Sequence, residues 1–350
     1  MYYTKKKEKK VGGNMILKNG SKVAIISPSN GAPDMFPDVF QKGVQNLKTF
    51  FKYDVVIYPS CTKTTEFLYN NPKFRAEEIN SAFADKTVDG IICSIGGYES
   101  IRILEHLDIE LILKNPKFIM GFSDSTSFLT YLNSLGLKTY YGHSVMAGIA
   151  QLHHFPNSLN QVNQYLTTDW VQFEWTTSAE YVDGYKDWFV YPAETLALKP
   201  NTQCFEVFAN ETMKGQLWGG CIEVLEGLKG TKYWPTPEFF EGKILFFETS
   251  EEKPTPDQVG YMIRNYAIQG LLNRVEGIVF GRCKDYTTDE YNELKRIILN
   301  IFEIELKIAP KVIFNLDFGH TDPKWILPYG VDVEFNYQSN SLVIKERLIL

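Results

Sequence analysis

Apolar residues in the first 150 positions come in short, continuous runs. Lys22–Ser27 (KVAIIS), Asp54–Tyr58 (DVVIY), Gly90–Ser94 (GIICS) and Lys117–Gly121 (KFIMG) are rich in Val, Ile and Phe and are bounded by polar or turn-forming residues. Such runs read as strands buried on both faces. Val39–Phe51, Arg75–Ala84, Glu99–His106 and Phe128–Leu135 lie between or after them with helical spacing. Strand and helix in alternation, with short links, predict a parallel sheet covered on both faces. The pattern breaks near residue 151. From there to about 212 the chain is rich in Trp and Tyr and shows little regular period. Segments of that kind inside an enzyme usually serve the site or move.

Order then returns. Ile222–Leu228, Pro256–Gln269 and Asp289–Phe302 read as helices, Lys243–Phe247, Val275–Phe280 and Val312–Leu316 as strands, and Val331–Ile349 alternates like a β-hairpin. The expected organisation is a disordered leader over 1–14 and an N-terminal α/β domain over 15–165. A linker and active-site loop follow over 166–212, then a C-terminal α/β domain over 213–350.

Composition narrows the function. The chain has 350 residues, enough for about two domains. With 36 Lys+Arg against 42 Asp+Glu its net charge is −6, so neither a nucleic acid nor an anionic membrane surface is an expected partner. Five cysteines stand far apart with no CxxC spacing, which suggests neither a zinc site nor a disulfide framework and fits a reducing cytoplasm. No apolar run approaches the ~20 residues of a membrane span. The basic N-terminus lacks the apolar core of a secretory signal. HExxH, GxGxxG and GxxxxGK[ST] are all missing, so no metal or cofactor is expected.

The chemistry-bearing residues cluster at predicted strand ends. Ser123 follows strand Lys117–Gly121 and precedes a helix, in Gly121-Phe-Ser-Asp-Ser. This resembles a nucleophile elbow, with Ser125 where that motif has its second glycine; a helix N-cap is the other reading. Gly96-Gly97 closes the neighbouring strand. The N–H groups of Gly97 and Asp124 can form an oxyanion hole, and a tight turn is the alternative. A serine needs a base. His320, after Gly319 at a strand end, ranks first and His143 second, ahead of His106, His153 and His154. Glu248 ends strand Lys243–Phe247 and is placed either to orient that histidine or as a strand-end surface charge. Cys93 is expected to be buried within its strand.

Several stretches together carry a family resemblance. They are Ile-Gly-Gly-Tyr-Glu-Ser (95–100), Asn115-Pro-Lys-Phe-Ile-Met-Gly-Phe-Ser-Asp-Ser-Thr126, Gly219-Gly-Cys-Ile-Glu-Val-Leu225 and Gly230-Thr. Phe247-Glu-Thr-Ser-Glu-Glu, Gly270, Phe280-Gly281-Arg282, Gly319-His320 and Leu327-Pro-Tyr-Gly330 complete the set. Over about 15–335 the chain resembles the LD-carboxypeptidase family of serine peptidases, and within it the microcin C self-immunity branch. The resemblance implies an N-terminal flavodoxin-like parallel-sheet domain and a C-terminal α/β domain with a small β-barrel-like core. It also implies a triad of Ser123, Glu248 and His320, with oxyanion donors at Gly97 and Asp124. Gly96 would lie against the substrate, Arg102 would meet a terminal carboxylate, and Trp188 would stack on a nucleobase.

The implied reaction is hydrolysis of an amide in a peptidyl- or aminoacyl-nucleotide, without cofactor. A homodimer is the implied assembly. Release of the terminal D-Ala from a murein tetrapeptide is the alternative reaction, and a non-catalytic binder of small ligands the alternative class.

Overall fold

In a computed structural model, residues 17–184, 188–189 and 196–345 are described; the expected leader over 1–14 lies outside them. The first five strands are β1 (Lys22–Ile26), β2 (Asp54–Ile57), β3 (Gly90–Cys93), β4 (Phe118–Gly121) and β5 (Tyr140–Tyr141). They pair in parallel in the order β2-β1-β3-β4-β5, which is the flavodoxin-like order. Every residue of β3 and β4 is buried, as their unbroken apolar runs require. The direction of winding reverses between β1 and β3. Loops leaving the carboxyl ends of such neighbours diverge and open a crevice. Here they are the segments after Ile26 and after Cys93.

The remaining strands are β6 (Phe173–Thr176), β7 (Glu180–Tyr181), β8 (Lys199–Pro200), β9 (Glu206–Phe208), β10 (Lys214–Cys221) and β11 (Lys243–Glu248). They continue as β12 (Gly277–Gly281), β13 (Val312–Leu316), β14 (Leu327–Pro328), β15 (Asp332–Asn336) and β16 (Ser341–Ile344). Eight of these form a second sheet in the order β6-β16-β15-β10-β11-β12-β13-β9. Its centre, β10 to β13, is parallel, and antiparallel strands flank it. This mixed sheet occupies the place of the expected barrel-like core. β14 leaves it and pairs antiparallel with β5 of the first sheet. The chain that has just passed His320 therefore ends against the strand beside β4. Helices Pro256–Ile268 and Thr288–Asn300 flank the second sheet, each opened by a capping box (Thr255/Gln258 and Thr287/Glu290).

One strand is added and two expectations are refined. Gly215–Gly220 lies inside β10, although glycine usually weakens a strand. The reason is a close approach: a Cβ on Gly219 would lie only 1.8 Å from the Phe246 carbonyl oxygen. The irregular middle contains the helix Pro156–Thr167, whose inner face is only Val162, Tyr165 and Leu166. It also supplies β6 and β9, the two outer strands of the second sheet. Glu99–His106 forms a 3-10 turn, Ser100–His106, rather than an α-helix. Among the described residues, no helix is long and apolar enough to cross a membrane.

Candidate active site

Buried strand β4 delivers the chain to Ser123, which adopts φ +56°. A left-handed conformation at a non-glycine residue costs about 1–2 kcal/mol. It also turns the chain sharply from Phe122 into the 3-10 turn Ser123–Ser125 and the helix Thr126–Ser134. The Ser123 side chain thereby stands at the carboxyl edge of the sheet. Two bonds hold the turn: Ser125 N–H donates to the Phe122 carbonyl at 3.1 Å, and Ser123 N–H donates to the Tyr141 hydroxyl at 3.0 Å.

Ser123 Oγ lies 3.1 Å from His320 Nε2, and His320 Nδ1 lies 2.6 Å from Glu248 Oε2. Both partners are enclosed, His320 at 1% and Glu248 at 0% exposure. Glu248 is the last residue of β11, so a rigid strand end aims its carboxylate. His320 arrives on the loop after β13, preceded by Gly319 at φ +100°. A side chain there would clash, since its Cβ would sit 2.7 Å from both Cβ and Oε2 of Glu248. The second oxygen, Glu248 Oε1, accepts from the Tyr141 hydroxyl.

A further carboxylate meets the imidazole. Glu251 Oε2 lies 2.9 Å from His320 Nε2, on the side that also faces Ser123. Burial alone would depress the imidazole, but the charges and hydrogen bonds of Glu248 and Glu251 outweigh it and raise His320 to about 9. The same hydrogen bond, helped by the charge of the imidazole, holds Glu251 down at about 2. Protonated His320 thus satisfies two carboxylates. Neutral His320 offers Nε2 a lone pair, which attracts the Ser123 hydroxyl proton and repels Glu251.

The sign follows. The imidazole's share of the stabilisation is complete below its unfolded value of 6.5 and is lost as pH rises through about 9, while the share of Glu251 is complete above 4.5 and is lost as pH falls through about 2. A base, by contrast, is available only as the imidazole loses its proton. Glu251→Gln is expected to move the acid limb of kcat/KM to lower pH, each unit raising the rate on that limb about tenfold. A pH–rate profile checks it, and an unmoved limb would remove Glu251 from the account.

The glycine loop after β3 closes the other side. A Cβ on Gly96 would lie 2.9 Å from Ser123 Cβ, 3.2 Å from Ser123 Oγ and 3.3 Å from the Asp124 nitrogen. The bare face of Gly96 therefore bounds a small space shared by the serine oxygen and the Asp124 N–H. Asn30 N–H donates to the Gly96 carbonyl at 3.2 Å. A Cβ on Gly97 would approach Ser29 Oγ to 2.5 Å. The buried Asp124 carboxylate accepts Ser100 N–H at 2.8 Å, tying the elbow to this loop. Burial pushes that carboxyl up, against the bonds from Ser29, Ser100 and the Glu99 backbone.

The other sequence candidates are placed as follows. Arg102 is paired with Glu99 at 2.8 Å and donates to the Tyr69 carbonyl. Trp188 packs edge-on against Phe36, 5.4 Å between ring centroids. His143 is fully enclosed, and burial followed by the charge of Lys324 holds it well below the usual imidazole range. Cys93 is buried, its thiol pushed up to about 12 by that burial. Among the described residues no cluster of His, Cys, Asp and Glu is arranged to hold a metal ion. Sequence reading missed Tyr141 and Glu251. The first sits in a short aromatic strand, and the second is one of two adjacent acidic residues, Glu251-Glu252, a pattern usual for a solvated surface.

A strained serine elbow, an imidazole 3.1 Å from its oxygen and a buried carboxylate behind the ring are the parts of a serine-type hydrolase. Family comparison gives the particular kind. The models of the LD-carboxypeptidase N-terminal and C-terminal domains match residues 23–142 and 214–335, and the chain belongs to the LD-carboxypeptidase family.

It is similar to the microcin C7 self-immunity protein MccF of Escherichia coli, with 25% identity over 346 residues, 94% of each chain. It is also similar to the "Probable murein peptide carboxypeptidase" of Bacillus subtilis, with 25% identity over 275 residues, 77% of this chain and 76% of that one. Among solved structures, the MccF-like protein from Streptococcus pneumoniae in complex with AMP superposes with a TM-score of 0.82 at 27% identity. That match covers 93% of this chain and 99% of the other.

Proposed function

We propose that the chain hydrolyses an amide bond of a peptidyl- or aminoacyl-nucleotide through Ser123, His320 and Glu248. The observation that carries this reading is the unbroken line from Ser123 Oγ through His320 to Glu248, with steps of 3.1 and 2.6 Å. Ser123 Oγ attacks the carbonyl carbon while its proton passes to His320 Nε2. Glu248 holds the ring through Nδ1 and balances the charge it gains. The N–H groups of Gly97 and Asp124 receive the negative oxygen. The C–N bond then breaks, and the departing amine takes the proton from Nε2. Water attacks the acyl-enzyme, gives a proton to His320, and the carboxylic acid leaves as Ser123 Oγ regains it.

The nucleotide preference is supported by the similarity to MccF and to the AMP-bound MccF-like protein. Trp188, edge-on to Phe36, serves in this reading as the nucleobase contact. Arg102 serves a substrate carboxylate only by leaving Glu99. A cytoplasmic homodimer belongs to the same reading, checked by fractionation and sedimentation. Similarity to the murein enzyme supports a second substrate, a tetrapeptide with a terminal D-Ala.

Incubation with aspartyl-sulfamoyl adenosine, glutamyl-sulfamoyl adenosine and a murein tetrapeptide, read by product mass, decides between them. Cleavage of an aminoacyl nucleoside analogue is expected. Release of D-Ala alone would transfer the assignment to the murein substrate.

A further inference from the structure

Tyr141 stands between the two segments that bring the reacting side chains together. On β5 its parallel neighbour is Gly121 of β4, the strand that leads into Ser123. Its antiparallel neighbour is Leu327 of β14, which follows the His320 loop. The side chain is 1% exposed, with ring centroids 5.4 Å from Phe246 and 6.3 Å from Phe122. Its oxygen accepts the Ser123 N–H at 3.0 Å, and its O–H donates to Glu248 Oε1. A backbone N–H only donates, and an ionised carboxylate only accepts. The single phenol proton therefore points at Glu248.

These contacts close a ring. It runs from Ser123 N–H to Tyr141, from Tyr141 to Glu248, from Glu248 to His320 Nδ1, and from His320 Nε2 back to Ser123 Oγ. We infer that Tyr141 is a positioning residue of the hydrolytic site, its hydroxyl orienting the Glu248 carboxylate for His320 while pinning the strained Ser123 backbone. The inference rests on the reading of Ser123, His320 and Glu248 as the hydrolytic relay.

Glu248 is fully buried, and a carboxylate withdrawn from water needs donors at its oxygens. His320 serves Oε2, and Tyr141 serves Oε1. Two donors on different oxygens also fix the plane of the carboxylate, and with it the tilt of the imidazole. At the serine, the phenol holds the N–H of a residue whose φ of +56° tends to relax.

Charge gives the distinguishing signature. The phenol draws on the negative charge that keeps a proton on His320, so its loss should raise the imidazole further. Glu248 is also faced by Cys221, Glu223, Cys283 and Tyr329, and His320 by Glu251; none of these changes in the Tyr141 variants. Burial, then the Glu248 charge, holds the Tyr141 phenol well above its usual value, so it stays a neutral donor.

The full-length chain carrying Tyr141→Phe keeps the ring and loses the hydroxyl. Loss of a hydrogen bond to a charged group is expected to lower kcat roughly ten- to hundredfold with KM little changed. The acid limb of kcat/KM is expected to move to higher pH, and fluorophosphonate labelling of Ser123 to slow with kcat. Tyr329→Phe removes another buried phenol, which donates to the Gly219 carbonyl at 2.9 Å; it is expected to leave the limb in place. Replacement of Tyr141 by 3,5-difluorotyrosine, a stronger donor, should move the limb the opposite way, and this arm decides if the Phe variant does not fold.

An unmoved acid limb in both Tyr141 variants, or a loss of rate matching only the unfolded fraction, overturns the inference. A dead Ser123→Ala beside a Tyr141→Phe of full activity sinks the tyrosine alone. Turnover surviving in Ser123→Ala sinks the relay on which it rests.

Discussion

Ser123→Ala is expected to lower kcat by roughly a millionfold, the scale seen when a serine nucleophile is removed from a relay of this type. Only Oγ lies within hydrogen-bond reach of His320 Nε2 on the elbow, at 3.1 Å, and alanine leaves that base with no hydroxyl to activate. Fold should survive the change. The bond from Ser123 N–H to Tyr141 is a backbone bond, and alanine meets φ +56° at much the same cost as serine. Circular dichroism and a melting curve should therefore match the parent, and substrate should still bind. Steady-state kinetics on the purified variant, with fluorophosphonate labelling as a second readout, check this. Retained turnover would mean that another group attacks the carbonyl.

Gly96→Ala is expected to cost roughly a hundred- to thousandfold in kcat, the range for loss of one oxyanion donor. The methyl group would sit 3.3 Å from the Asp124 nitrogen and 3.2 Å from Ser123 Oγ, in the space proposed for the negative oxygen. Gly96 lies outside the left-handed region, unlike Gly97 at φ +144°. The methyl group adds no left-handed strain at its own residue but presses on the elbow, 2.9 Å from Ser123 Cβ, and the loss should fall on kcat more than on stability. Kinetics beside a thermal melt separate the two. A kcat within threefold of the parent would show that the oxyanion lies elsewhere.

The regular elements near the site were legible for simple reasons. β3, β4 and β13 are short, mostly apolar runs closed by Ser94, Gly121 and Asp317, and such runs betray themselves by composition. Residues at their ends, Ser123 and His320, inherit a position at a sheet edge. Segments whose apolar content is thin or glycine-rich were not legible. β10 is a strand because Gly219 lets it lie against Phe246, a property of the neighbouring strand. β6 and β9 are edge strands whose partners, β16 and β13, come more than a hundred residues later in the chain.

The chain alone, through periodicity and motif, determined the parallel first sheet, the serine elbow, and the nomination of Glu248 and His320 as partners. Those features depend on nearest neighbours and on residue type. Tertiary structure decided which oxygens and nitrogens meet. Glu251 shares Nε2 of His320 with Ser123, and Tyr141 bridges Ser123 to a carboxylate 107 positions away. Contacts of that separation leave no local period in a sequence. They arise only when β14 crosses to the first sheet and folds the His320 loop over the elbow.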